Sequence, residues 1–152
     1  MRRATIYRDG ALSDAGPGNE LDAARESSGS FLWLDILSAD DADIALLRDG
    51  FAFHPLAMED AIRDEQRAKV GRYADFTVIV LFDLTMEPLA EEVQLRELTL
   101  FVGLNYVITV HHHPIKSLDE LWERLHLEPD ILDDHPRSLL VYQIADGLVD
   151  DY

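Results

Sequence analysis

The stretch FHPLAMEDAIRDEQRAKV, Phe53 to Val70, decides how the rest of the chain is read. Pro55 suits the first turn of a helix, where its missing N–H would have no partner in any case. His54 then falls at the N-cap, and Phe53 and Met58 occupy the two positions of a hydrophobic staple. Met58, Ala61 and Ile62 form the inward side. Glu59, Asp60, Arg63 and Asp64 gather on the outward side, with Arg63 placed to pair with Glu59. The helix is expected to stop before Gly71. The tail Gln66-Arg67-Ala68-Lys69-Val70 leads toward a strongly apolar strand.

Downstream, Tyr73 to Met86 is apolar on both alternations from Phe76 to Phe82, the signature of a central strand covered on both faces. Glu91 to Val102 alternates, but its apolar phase slips between Leu95 and Leu98, which predicts a β-bulge near Arg96-Glu97. Gly103-Leu104-Asn105 is a tight turn into Tyr106 to Val110, so these two strands form a hairpin. Ser117 and Glu120 read as a capping box for a helix whose stripe is Leu118, Leu121, Trp122 and Leu125. An acidic, proline-bounded connector with room for one helical turn spans Glu128 to His135. Pro136 opens a last helix with Leu140, Val141, Ile144, Ala145 and Leu148 on one side. Asp146 and Asp150 lie one turn apart on the other, with Tyr142 a turn before.

Upstream, Ala4 to Tyr7 is a short strand candidate and Ser13 to Asn19 a loop. After a break at Ser27 to Ser30, FLWLDIL (31–37) reads as a buried strand. Ser38 with Asp41 resembles a capping box opening a helix that carries Ile44, Leu47 and Phe51 and ends near Gly50. Neither a repeat nor a long linker divides the chain, so residues 1–152 are one domain. The element order predicts an α/β fold: a mixed sheet sandwiched between helical layers. The last helical pattern runs without a stop signal into Tyr152, and the chain reads as cut before a continuation.

Thirteen basic against 30 acidic residues give a net charge of −17. Nucleic acid and anionic lipid surfaces are thereby excluded as direct partners, since both need a positive footprint; cations or a basic segment are favoured. With no cysteine, thiolate metal sites and cysteine nucleophiles are ruled out. The start lacks the apolar core of a secretory signal, and the longest apolar runs are too short to span a bilayer.

Three constellations could carry chemistry: Glu59 and Asp60 with Asp64, the Asp146 and Asp150 pair, and His111-His112-His113 at a strand end. Mg²⁺ takes hard oxygen ligands and often only one or two protein carboxylates, so either acidic pair suffices chemically; either pair is equally an ordinary charged helix face. In an extended chain His111 and His113 share a face, which suits a transition metal; the alternative is a polar strand end. Glycine-rich phosphate loops, GxSxG and HExxH are all missing, and an enzyme is not expected.

FHPLAMEDAI followed by QRAKV and a strand resembles the cytoplasmic domain of the CorA family of divalent-cation transporters. FLWLDI, ELTLFVGLNYVITVHHH with its following helix, and LLVYQIADGLVDDY agree with that family in order and spacing. The likeness covers nearly the whole chain from Phe31. Ala68 departs from it, standing where the family usually has proline. The resemblance implies a soluble α/β/α regulatory domain at the cytoplasmic face of the cell membrane. In the family, five subunits surround a pore that conducts magnesium and cobalt. The stalk helix, membrane spans and pore signature lie outside this sequence. It also implies that Glu59, Asp60 and Asp146 are ligands of regulatory Mg²⁺, shared with an acidic residue of a neighbouring subunit. A CorA-related zinc transporter, for which the histidine run would be the pointer, is the nearest alternative. A free-standing metal hydrolase is the more distant one.

Overall fold

A computed structural model of the protein describes residues 1–16, 18–25, 29–63, 67–87, 89 and 92–150, without the side chains of residues 23–25, 60, 86, 87 and 150. Its frame is a seven-stranded mixed sheet. The strands are β1 (Arg2–Arg8), β2 (Ala11–Asp14), β3 (Ser30–Leu37), β4 (Lys69–Arg72), β5 (Thr77–Glu87), β6 (Glu92–Val102) and β7 (Tyr106–His111). They lie in the order β2-β1-β3-β7-β6-β5-β4. All neighbours are antiparallel except β3 and β7, which run parallel with Leu34 opposite Ile108.

Both faces of the sheet are covered, which explains the near-continuous apolar run of β3. On one face, Ala4, Leu34, Ile36, Val78, Val80, Phe101 and Ile108 pack under α2 (Asp41–Ala45), the π-turn Leu46–Gly50 and α3 (Pro55–Ile62). On the other, Trp33, Leu98, Leu100 and Val107 pack under α4 (Lys116–Leu127) and α5 (Pro136–Asp150). The short α1 (Glu20–Arg25) precedes β3. The expected α/β architecture, a mixed sheet between helical layers, is the observed one.

Several local expectations are corrected. The first fourteen residues contribute more than one short strand: β1 is an interior strand and Ala11–Asp14 pairs with it as an edge. Helix α2 is capped not by Ser38 but by Asp40. Its Oδ1 accepts the Asp43 N–H at 2.8 Å while Asp43 Oδ2 accepts the Asp40 N–H at 3.0 Å. Ser38 instead sits at φ +52°, and its hydroxyl donates to the His112 carbonyl. No bulge interrupts β6: the ladder is continuous through Asp83↔Arg96 and Phe82↔Glu97. The phase slip has another cause. Val93 and Leu95 lie on a part of the hairpin that runs beyond the packed layers and are exposed, whereas from Leu98 onward both faces are buried. As expected, β5 is an interior strand covered on both faces: it lies between β6 and the edge strand β4 that Lys69 and Val70 open, with Val78 and Val80 in one layer and Ile79 and Leu81 against the other. Ser117 and Glu120 do not cap α4, whose N-cap is Ile115 with no side-chain bond.

The hairpin turn is as expected, with the Gly103 N–H donating to the Tyr106 carbonyl at 3.0 Å. A Cβ at Gly103 would stand 2.2 Å from the Tyr106 ring. Gly103→Ala is therefore expected to destabilise the protein by about 1–3 kcal/mol through overpacking. Urea denaturation checks this, and an unchanged midpoint would mean the ring swings aside at no cost.

Candidate functional site

The acidic turn of α3 is built as its sequence suggests. His54 Nδ1 accepts the Leu56 N–H at 3.1 Å, and Pro55 occupies the first turn. Phe53 and Met58 are buried on the staple positions, joined by Ala57 and Ala61. Ile62, assigned to the inward side, is 48% exposed. The helix also ends earlier than expected: Arg63 is its C-cap in an extended conformation. Its side chain therefore does not continue the helical face of Glu59. Residues 64–66 lie outside the described residues, so Asp64 does too. Glu59 is exposed; Asp60 occupies the next backbone position of the helix.

Asp146 is exposed on α5 and lines a cleft of about 130 Å³ between α4 and α5 with Ser117, Glu120, Arg124 and Gln143. The helices approach closely there, a Cβ at Gly147 falling 3.3 Å from Ser117 Cβ. Since α3 packs on one face of the sheet and α5 on the other, one chain holds Glu59 and Asp146 in opposite layers. Among the described residues no three acidic or histidine side chains form a metal-binding group. What the two helices offer is sparse hard oxygen donors, a set that suits Mg²⁺ retaining most of its water. A larger groove of about 460 Å³, lined in part by Tyr7, Ser30, Asn105 and Arg137, contains none of the sequence-predicted residues.

The histidine run does not present a shared ligand face. β7 ends at His111, the chain turns, and His113 is exposed while His111 is buried. Both His111 ring nitrogens are engaged: Nε2 lies 2.8 Å from Asp35 Oδ1, and Nδ1 lies 2.7 Å from the His113 carbonyl oxygen. Asp35 is equally buried. It accepts from Thr109 Oγ1 at 2.7 Å and from Arg3 Nε at 2.9 Å. Trp33 Nε1 donates to Thr109, and Arg3 reaches on to Asp119 of α4 at 2.7 Å while stacking 4.4 Å above the Trp122 ring. Burial alone would raise the Asp35 pKa, but the bonds from His111 and Thr109 and the charges of His111 and Arg3 outweigh it, and the net shift is down. For His111 burial acts downward, and the bond and charge of Asp35 with the His113 carbonyl turn the net shift upward.

Sequence reasoning passed over this network. Its one signal was Asp35, a charge alone in an apolar strand, which burial requires to be paired. The parallel pairing that sets Asp35 against Thr109 and Leu37 against His111 is not written in either segment alone.

Comparison with known proteins agrees with this fold. Residues 28–152 match the family model of the CorA-like Mg²⁺ transporter proteins. YfjQ of Bacillus subtilis (strain 168) is 38% identical over 123 residues, covering 81% of this chain and 37% of that protein. The cobalt/magnesium transport protein CorA of Thermotoga maritima is 27% identical over 121 residues, covering 79% and 34%. The soluble domain of CorA from Methanocaldococcus jannaschii superposes with a TM-score of 0.77 at 16% identity, covering 98% of this chain and 56% of that one. The chain thus spans little more than a third of the curated relatives it matches. With a family model covering most of its length and a shared α/β/α frame, the chain belongs to the CorA-like Mg²⁺ transporter family.

Proposed function

We propose that this chain is the Mg²⁺-sensing, cytoplasmic part of a transporter that moves magnesium, and cobalt with it, across the cell membrane. The observation that carries the reading is the placement of the acids. Glu59 stands on α3 and Asp146 on α5, outward and in opposite layers of the sandwich. A divalent ion bridging them therefore has to join neighbouring chains, as in an assembly of five subunits around a pore. Glu59 and Asp60 supply one side of that site, and Asp146 or another acidic residue of the neighbour supplies the other. Acids gathered at such an interface repel one another; a bound ion removes the repulsion and links the subunits. Its loss shifts the equilibrium toward the loosened, open arrangement. Other divalent cations can replace Mg²⁺ in a site of this kind. Zinc selectivity draws no support from His111, whose ring nitrogens are already engaged.

Sedimentation velocity during a Mg²⁺ titration tests the proposal. The wild-type chain is expected to shift to larger species, weakly because the site is shared. Asp60→Ala is expected to need about tenfold more Mg²⁺, the equivalent of about 1.4 kcal/mol of lost binding. Equal responses from the two proteins would remove Asp60 from the sensor.

A further inference from the structure

We propose that His111 is a proton-operated latch on the connection between β7 and α4. With two ring protons it ties that connection to Asp35; with one it lets go.

The geometry carries this. A carbonyl oxygen can only accept, so the His113 oxygen at 2.7 Å requires a proton on Nδ1. The carboxylate facing Nε2 at 2.8 Å is ionised, since it also accepts from Thr109 and Arg3, and it requires a proton on Nε2. Both nitrogens donate, and the ring is an imidazolium. It holds residues 111–113 in their turn, and the Ser38 N–H donates to the His111 carbonyl at 2.9 Å. The Ser38 hydroxyl donates to the His112 carbonyl at 3.2 Å, and Arg96 donates to the Pro114 carbonyl at 2.7 Å. α4 begins directly afterwards, with no side-chain cap of its own. Its attachment to the sheet draws on this turn, on its apolar stripe, on the contacts of Arg3 with Asp119 and Trp122, and on His126 beside Thr5 and Asp14.

Charged groups reach this region from several elements. Asp35 of β3 faces the ring directly, and Arg3 of β1 lies behind Asp35. Asp119 of α4 balances Arg3, and Arg96 of β6 sits at the connection. His126 of α4 is further along, between Thr5 of β1 and Asp14 of β2. α5 contributes Leu140, Ile144 and Leu148 to this layer. In direct contact, His111 and Arg3 face Asp35 and Asp119, while Arg96 spends its charge on the Pro114 carbonyl. Because the folded-state pKa lies above the ordinary 6.5, the latch contributes fully below about pH 6.5 and is lost as pH rises through the folded value. Alkaline pH opens it. The metal reading plays no part in this.

Long-range ¹H–¹⁵N spectra of the histidine rings across neutral pH test the proposal. One ring is expected to keep both protons above pH ~6.5, the ordinary histidine pKa, and that signal is expected to be absent in His111→Gln. Amide exchange over residues 112–118, corrected for its intrinsic pH dependence, is expected to accelerate about tenfold through the same midpoint. Histidines that all titrate at or below the ordinary value, or exchange protection that ignores pH, would overturn the latch. Should His111→Gln not fold, Arg3→Gln decides. It removes the cation that opposes the imidazolium, and the midpoint is expected to rise. A midpoint that stays or falls overturns the assignment.

Discussion

Asp35→Ala is expected to destabilise the protein by about 3–5 kcal/mol, the cost of removing one partner from a buried ion pair. Asp35 is 3% exposed and is the shared acceptor of His111, Thr109 and Arg3. Without it, the imidazolium loses its anion, the guanidinium keeps only Asp119, and Thr109 loses an acceptor. The variant escapes part of the cost by holding His111 neutral, and that escape has a pH signature. In the wild type the His111 pKa is raised, so His111 contributes fully below about pH 6.5. In the variant, burial and Arg3 depress it, so acidification below the unfolded value favours the unfolded chain. The stability gap between the two proteins is therefore expected to widen as pH falls from mildly alkaline to mildly acidic. Urea denaturation at the two ends of that range measures it. A loss below about 1 kcal/mol that is the same at both would mean that the network is no stronger than a surface salt bridge.

The part of the fold legible in the sequence was the part governed by local rules. The Pro55 helix with its His54 cap, the Gly103 turn and the leucine stripes of α4 and α5 all follow from contacts within a few residues. The caps at Ser38 and Ser117 apart, what was misread depended on which layer covers which stretch. Val93 and Leu95 are apolar in one phase and Leu98 and Leu100 in the other. Only the extent of the packed layers distinguishes an unbroken hairpin running past the core from a bulge. The end of α3 was likewise placed too late, because Ile62 and Arg63 continue a helical pattern that the extended C-cap cuts off. His111 was read by the alternation of an extended chain; the turn after β7 separates it from His113 and delivers it to Asp35. Among the candidate ligands, the helix positions of Glu59, Asp60 and Asp146 were legible. Their placement in opposite layers was not, since it follows from the crossover between β3 and β7.

The acidic turn depends in the end on one aromatic side chain. Helix α3 has only eight residues, too few to be stable by propensity, and it buries chiefly alanines and Met58. Phe53, immediately before its cap, is 3% exposed and lies at the centre of a ring cluster. Its centroid is 4.4 Å from Phe101 in a stacked arrangement, 4.6 Å from Phe76 and 5.5 Å from Phe51. Phe53→Ala is expected to cost about 3–5 kcal/mol, the range for emptying a buried aromatic site. Ile62→Ala, on the same helix but facing solvent, is expected to cost less than about 0.5 kcal/mol. Phe53→Leu separates stability from placement. It restores much of the volume and is expected to cost about 1.5 kcal/mol or slightly more, yet it removes every ring contact that sets where His54 and Pro55 begin the helix. If Glu59 and Asp60 bind Mg²⁺ from that helix, the folded Leu variant is expected to need several-fold more Mg²⁺ for the sedimentation shift while its far-ultraviolet circular dichroism stays that of the wild type. A Leu variant with a wild-type Mg²⁺ response would show that the ring cluster stabilises the fold without positioning the acids.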